Sequence, residues 1–123
     1  MQYRVRAYIK ADHANPFRNY RFGEDVAFVG QFEIKAADWD DEHAAEGMFT
    51  VGNKMGCDIH GKEWPATVRS LSVGDVLRVI QPPNNRYPEG HDTWLACGGT
   101  GWDEIPRPAD PHFITLAAAG WGE

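Results

Sequence analysis

RSLSVGDVLRVI, residues 69–80, decides how this chain is read. It is a turn that feeds a strand. Ser70 and Ser72 can bond nearby backbone groups. Leu71 and Val73 can plug the bottom of a core. Gly74 supplies a turn conformation that strains other residues, and Asp75 can cap or close that turn. Residues 76–80 then run as the strand, which Pro82-Pro83-Asn84-Asn85 ends. Nothing in the stretch calls for chemistry.

On its N-terminal side, residues 40–51 predict a helix. Asp38 or Asp40 can cap it, and Asp41 and Glu42 suit the positive end of its dipole. Ala44, Ala45, Met48 and Phe49 make one apolar stripe. Gly47 costs roughly 1 kcal/mol of propensity, and Gly52-Asn53 is a stop signal. Residues 53–68 read as irregular. Further back, Tyr3, Val5, Ala7 and Ile9 alternate with Arg4, Arg6, Tyr8 and Lys10. That is a strand over 3–10 with one buried face and one wet, basic face. Asn15-Pro16 marks a turn in the loop that follows. In 26–34, Val26, Phe28, Phe32 and Ile34 alternate with Ala27, Val29, Gln31 and Glu33. Gly30 falls on the apolar side, where a large neighbour or a bulge can sit.

On its C-terminal side, residues 93–97 read as a short strand. Gly98-Gly99-Thr100-Gly101 turns the chain into 102–105, so 93–105 predicts a hairpin. Pro106, Pro108 and Pro111 mark a stiff connector, and the apolar tail 112–119 reads as a strand or a short helix. The order β-β-α-β-β-β predicts an α+β fold: a small antiparallel or mixed sheet with one helix packed on a face.

The length of 123 residues fits a single domain, 1–123, that needs neither disulfide nor metal to fold. No apolar run is long enough to cross a membrane. Cys57 and Cys97 give no disulfide framework, which places the chain in a reducing cytoplasm. Net charge is −6, yet residues 1–22 hold Arg4, Arg6, Lys10, Arg18 and Arg21 against one acid, Asp12. Such asymmetry either steers an acidic partner to one end or is ordinary solvated surface.

Phe49 to Asn53, the octapeptide 69–76, and Cys97 followed by Gly101-Trp102 form a recognisable layout. Over residues 40–105 it resembles the YodL-like small domains of actinobacterial chromosomes, plasmids and phages. The octapeptide carries most of the specificity. The chain departs from the pattern by inserting residues 55–64 before Arg69, and residues 1–37 lie outside the resemblance. The resemblance implies a non-enzymatic protein of a phage or mobile element that binds a host protein, in host takeover or counter-defence. It brings no catalytic set and no cofactor. It leaves Asn53, Arg69 and Asp75 as a shared structural or contact cluster.

Several groups remain as candidate sites. Arg4, Arg6, Tyr8 and Lys10, with Phe17, Arg18, Tyr20, Arg21 and Phe22 in the next loop, interleave cations and aromatics. Such a surface serves protein contact or tracks nucleic-acid phosphates while stacking bases. The bland alternative is a solvated face over packed loop aromatics. Trp39 and Trp64, beside turn residues, can be exposed anchors; Trp94 and Trp102 read as hairpin packing. Cys57-x-x-His60 has metal-ligand spacing, and His91 with Cys97 can complete a tetrahedral zinc site or a Cys–His nucleophile pair. The second pair is not tightly spaced, and Cys97 suits a buried strand position. The acids Asp38, Asp40, Asp41 and Glu42 read as caps before they read as a cation site. Gly98 to Gly101 is no phosphate loop, for it lacks the following Lys and helix. Three readings follow: a host-protein interaction module, a nucleic-acid-associated protein using the basic face, and a small zinc protein or enzyme.

Overall fold

The computed structural model describes residues 1–11 and 18–121. It has the expected α+β class. Strands β1 (Gln2–Lys10), β2 (Val26–Lys35), β3 (Val76–Gln81), β4 (His91–Cys97), β5 (Trp102–Glu104) and β6 (Phe113–Ile114) form one sheet. Its order is β5-β4-β3-β1-β2-β6. All neighbours run antiparallel except β2 and β6, which are parallel. The sheet is therefore mixed. The single α-helix, α1 (Asp41–Gly52), lies on one face. The hairpin β4–β5 forms as the glycines predict, and the tail supplies β6 after one turn of 3₁₀-helix. The turn signal at Asn15-Pro16 lies outside the described residues.

Asp40 is the N-cap, its carboxylate accepting from the Glu42 and His43 amides. Asn53 closes the other end by donating its side-chain amide to the Phe49 carbonyl at 2.7 Å. Ala44, Ala45, Met48 and Val51 bury against Tyr3, Val5, Phe32, Ile34, Leu77 and Val79 of the sheet. Gly47 and Gly52 set how close the helix sits. A Cβ at Gly47 would lie 2.8 Å from Ile34 Cγ2, and one at Gly52 only 2.3 Å from Leu71 Cδ1. The helix accepts the propensity cost of Gly47 in return for that approach.

The segment before β3 behaves as read, with one exception. Gly74 has φ +93°, and Asp75 closes the turn by accepting from the Ser72 amide at 2.8 Å. Leu71 joins the core, whereas Val73 stays half-exposed.

Strand β2 departs from its predicted alternation. A bulge falls where Ala7 pairs with Gly30 but Tyr8 pairs with Phe28, so Val29 is the extra residue. One extra residue inverts the facing of everything before it. Ala27 therefore joins the helix-side core, while Val26 and Phe28 face away from it, beside Tyr8.

Residues 53–68 have no regular structure, yet they seal one sheet edge. The Asp58 carboxylate accepts from the Glu33, His60 and Lys62 amides, each at 2.9 Å. The Ile59 amide donates to the Glu33 carbonyl, and Lys62 Nζ donates to the Gln31 carbonyl at 2.8 Å. With β6 on Val26 and Ala27, the outer edge of β2 is occupied.

Candidate functional site

The face of the sheet opposite α1 carries three rungs, read from the pairing register. Phe28, Tyr8, Val76 and Ala96 form one; Gln31, Arg6, Arg78 and Trp94 the next; Glu33, Arg4, Ile80 and Asp92 the third. The first is closed over except at Phe28. Tyr8 packs against Phe28, Trp94 and Phe113 with ring centroids 5.3–5.5 Å apart, and Tyr20 and Ile105 add to this second, smaller core. Burial raises the Tyr8 phenol's pKa above its ordinary value, with Arg6 and Arg78 pulling the other way.

The other two rungs are open. Arg6 and Arg78 sit directly opposite each other, a like-charge pairing that strands ordinarily avoid. Arg78 is held by Asp92, with Nε 2.9 Å from Oδ2. Arg4 is held by Glu33 at 3.2 Å. Arg6 donates Nε to the neutral amide oxygen of Gln31 at 2.9 Å and pairs with no carboxylate among the described residues. Phe28 is 44% exposed at the border of the patch. A shallow cleft of about 750 Å³ continues it, with Arg4, Glu33, Ile80, Pro83 and His91 in its walls. Chemically, the face can donate planar hydrogen bonds to carboxylates and cover them with apolar surface.

The structure sorts the sequence candidates. Arg4 and Arg6 lie together on the open face, as the alternation predicts. Tyr8 and Lys10 do not share their exposure: both are buried, Lys10 completely, because the 18–25 loop and the connector to β6 fold over that end. Lys10 Nζ donates to the Arg18 carbonyl at 2.5 Å. Arg18 is half-buried and paired with Glu24 at 2.9 Å, and Tyr20 is half-buried against the second core, so neither is a free contact residue. Arg21 and Phe22 are exposed in the loop; Phe17 lies outside the described residues. Trp39 is half-buried, its ring edge-on to Tyr3.

Trp64 is no exposed anchor. It is 4% exposed, stacked on Phe32, and its indole N–H donates to the Arg69 carbonyl at 2.9 Å. Arg69 is likewise a structural residue, gripping Asp75. The four metal candidates do not converge. His91 and Cys97 stand at opposite ends of β4, roughly 20 Å apart at strand rise. His91 stacks on Tyr87, Cys97 is buried, and Cys57 lies exposed in the 53–68 segment. Among the described residues, no three His, Cys, Asp or Glu side chains are placed to hold a metal ion.

Sequence reasoning missed Arg78 on the open face, the exposed Phe28 at its border and the buried Trp94 beneath it. Arg78 was legible as the single charged residue in the otherwise apolar strand 76–80. Phe28 was hidden by the bulge. No helix is long and apolar enough to cross a membrane among the described residues. Set against protein-family models, curated proteins and solved structures, the chain finds no match.

Proposed function

We propose that this chain is a non-enzymatic interaction module that captures a partner protein on the open sheet face. The observation that carries the reading is the Arg6–Arg78 rung: two arginines opposite each other across β1 and β3, one of them without a carboxylate among the described residues, with an exposed phenylalanine on the neighbouring rung. Guanidinium groups stay protonated, so they recognise rather than move protons. A partner offering Asp or Glu beside an apolar residue satisfies both features. The resemblance of residues 69–76 to YodL-like domains supports placing the module in an actinobacterial phage or mobile element, with a host protein as the partner.

A nucleic-acid partner has less support on this face. With Arg4 and Arg78 each paired to an acid, Arg6 alone is too little to track a run of phosphates, though it suits one carboxylate, and Trp94 is only 8% exposed, so no base can stack on it. The test uses immobilised protein and actinobacterial lysate, with wild type and Arg6→Glu side by side. The expected result is a saturable protein partner lost from Arg6→Glu while the melting temperature holds. Recovery of the same proteins by both forms overturns the reading. Salt-sensitive retention of nucleic acid by the wild type, lost in the variant, transfers it to the alternative.

A further inference from the structure

The two edges of the sheet are treated differently. On one side the sheet ends in the two-residue β6, and the rest of the outer edge of β2 beside it is occupied, as described above. The β5 edge is not. In the β4–β5 ladder, the Gly98 amide donates to the Gly101 carbonyl and the Ile105 amide to the Trp94 carbonyl. With Ala96 opposite Asp103, these pairs are the hydrogen-bonded ones. The alternate residues, Trp102 and Glu104, therefore point their N–H and C=O groups outward. On the other side of β4, Cys97 spends its backbone groups on Asp75 and Gly74 of the β3 strand entrance, consistent with that alternation. Among the described residues, no group bonds the outward edge of β5, and Asp103 and Glu104 are exposed.

The surroundings of that edge are acidic. Asp103 and Glu104 belong to the strand itself. Glu42 and Glu46 of α1 stand in the walls of the hollows beside it. Glu46 also accepts from the Trp102 indole at 2.8 Å, which fixes its carboxylate next to β5. The cationic side chains on those walls are His43 and Arg86; His43 is bound to Asp38, and Arg86 leans over Tyr87.

We propose that β5 accepts an extended, basic protein segment as an additional strand. Four outward backbone groups supply the ladder. Residues of the incoming strand opposite Trp102 and Glu104 fall on the helix side, facing Glu42 and Glu46. The residue between them faces Asp103. Lysine or arginine at these positions meets a carboxylate in each case. A second copy of this chain is disfavoured as the occupant. Antiparallel pairing of two β5 strands centred on Asp103 sets Asp103 against Asp103, with no cation between them. The surface is separate from the Arg6–Arg78 rung and does not depend on what binds there.

The test uses a terminally blocked heptapeptide of alternating lysine and threonine at low salt. Calorimetry measures binding, and amide hydrogen exchange reads individual sites. The expected result is binding that an alternating glutamate and threonine peptide lacks, with new protection at the Trp102 and Glu104 amides. Glu104→Pro removes one outward N–H without touching the β4 ladder and should weaken binding by about fivefold or more. Glu42→Lys should weaken it similarly, whereas Arg6→Glu should not. Absence of binding overturns the proposal. So does binding that leaves both amides unprotected, which is charge attraction alone, or peptide-free dimerisation that protects the same amides. If Glu104→Pro fails to fold, exchange on the parent chain decides.

Discussion

Arg69 grips Asp75 with both ends of its guanidinium, Nη1 to Oδ2 at 2.6 Å and Nη2 to Oδ1 at 2.7 Å. The carboxylate beneath is 1% exposed and also accepts from the Lys10 amide at 2.9 Å. One buried acid thus ties the strand entrance to the end of β1. Burial raises its pKa, and Arg69 and the backbone donors oppose that rise. Removing the cation leaves a buried charge uncompensated, which costs roughly 3–5 kcal/mol. Arg69→Met should lose about that much in urea unfolding at pH 7. A loss below about 1 kcal/mol would show that the pair is dispensable.

Gly52 and Gly56 should respond oppositely to alanine. At Gly52 the new methyl runs into Leu71, and overpacking costs about 1–3 kcal/mol. At Gly56 nothing lies within 4 Å, and its φ is not positive. There Gly→Ala should be neutral or stabilise by a few tenths of a kcal/mol, through the unfolded chain. Thermal melts of the two variants check the ordering.

Deleting Val29 should be tolerated. Without it, Phe28 meets Gly30 directly, and Tyr8–Phe28 and Ala7–Gly30 remain the pairs they already are. The loss is the packing of one half-buried valine, about 1–2 kcal/mol. Deleting Val79 from β3 instead shifts the register against both β1 and β4 and should abolish cooperative unfolding. Equal damage from the two deletions would contradict the bulge assignment.

Alkali should destabilise the fold through Cys97. Its thiol is pushed from 9.0 up to about 11, first by burial and then by Asp75, Glu46 and Asp103. The folded thiol keeps its proton where the unfolded one has lost it. The associated stability is complete below pH 9 and drains away as pH rises to about 11, by roughly 3 kcal/mol in all. Cys97→Ala should flatten the stability–pH slope in that window. An unchanged slope assigns the loss to the buried tyrosines, whose pKa values are also raised.

Local signals explain what was legible. The alternation of β1, the Asp40 cap, the Gly98–Gly101 hairpin turn and the strand entrance at Gly74 all depend on neighbours a few residues away. The failures depend on distant ones. Tyr8 and Lys10 alternate like Arg4 and Arg6; Tyr20, Ile105 and Phe113 arriving from elsewhere bury Tyr8, and the backbone at Arg18 and Gly74 covers Lys10. Trp64 sits beside a proline in an irregular stretch, and its burial follows from Phe32, which lies in β2 on the far side of α1 in sequence. Gly30 marks a place where a bulge can sit, but the apolar residues on both faces around it do not say that Val29 is the extra one.

Lys62, Asp58 and Ile59 do more than fasten a loop to β2. A sheet open at both edges can be extended without limit, molecule upon molecule, into a fibre. Here the long strand β2 is covered on its outer side, and past it stands only the two-residue β6, too short to template a further strand. Two copies joined through β5 would each spend that edge and present only their β6 ends to a third. Copies meeting through β5 therefore stop at a pair instead of growing into an aggregate.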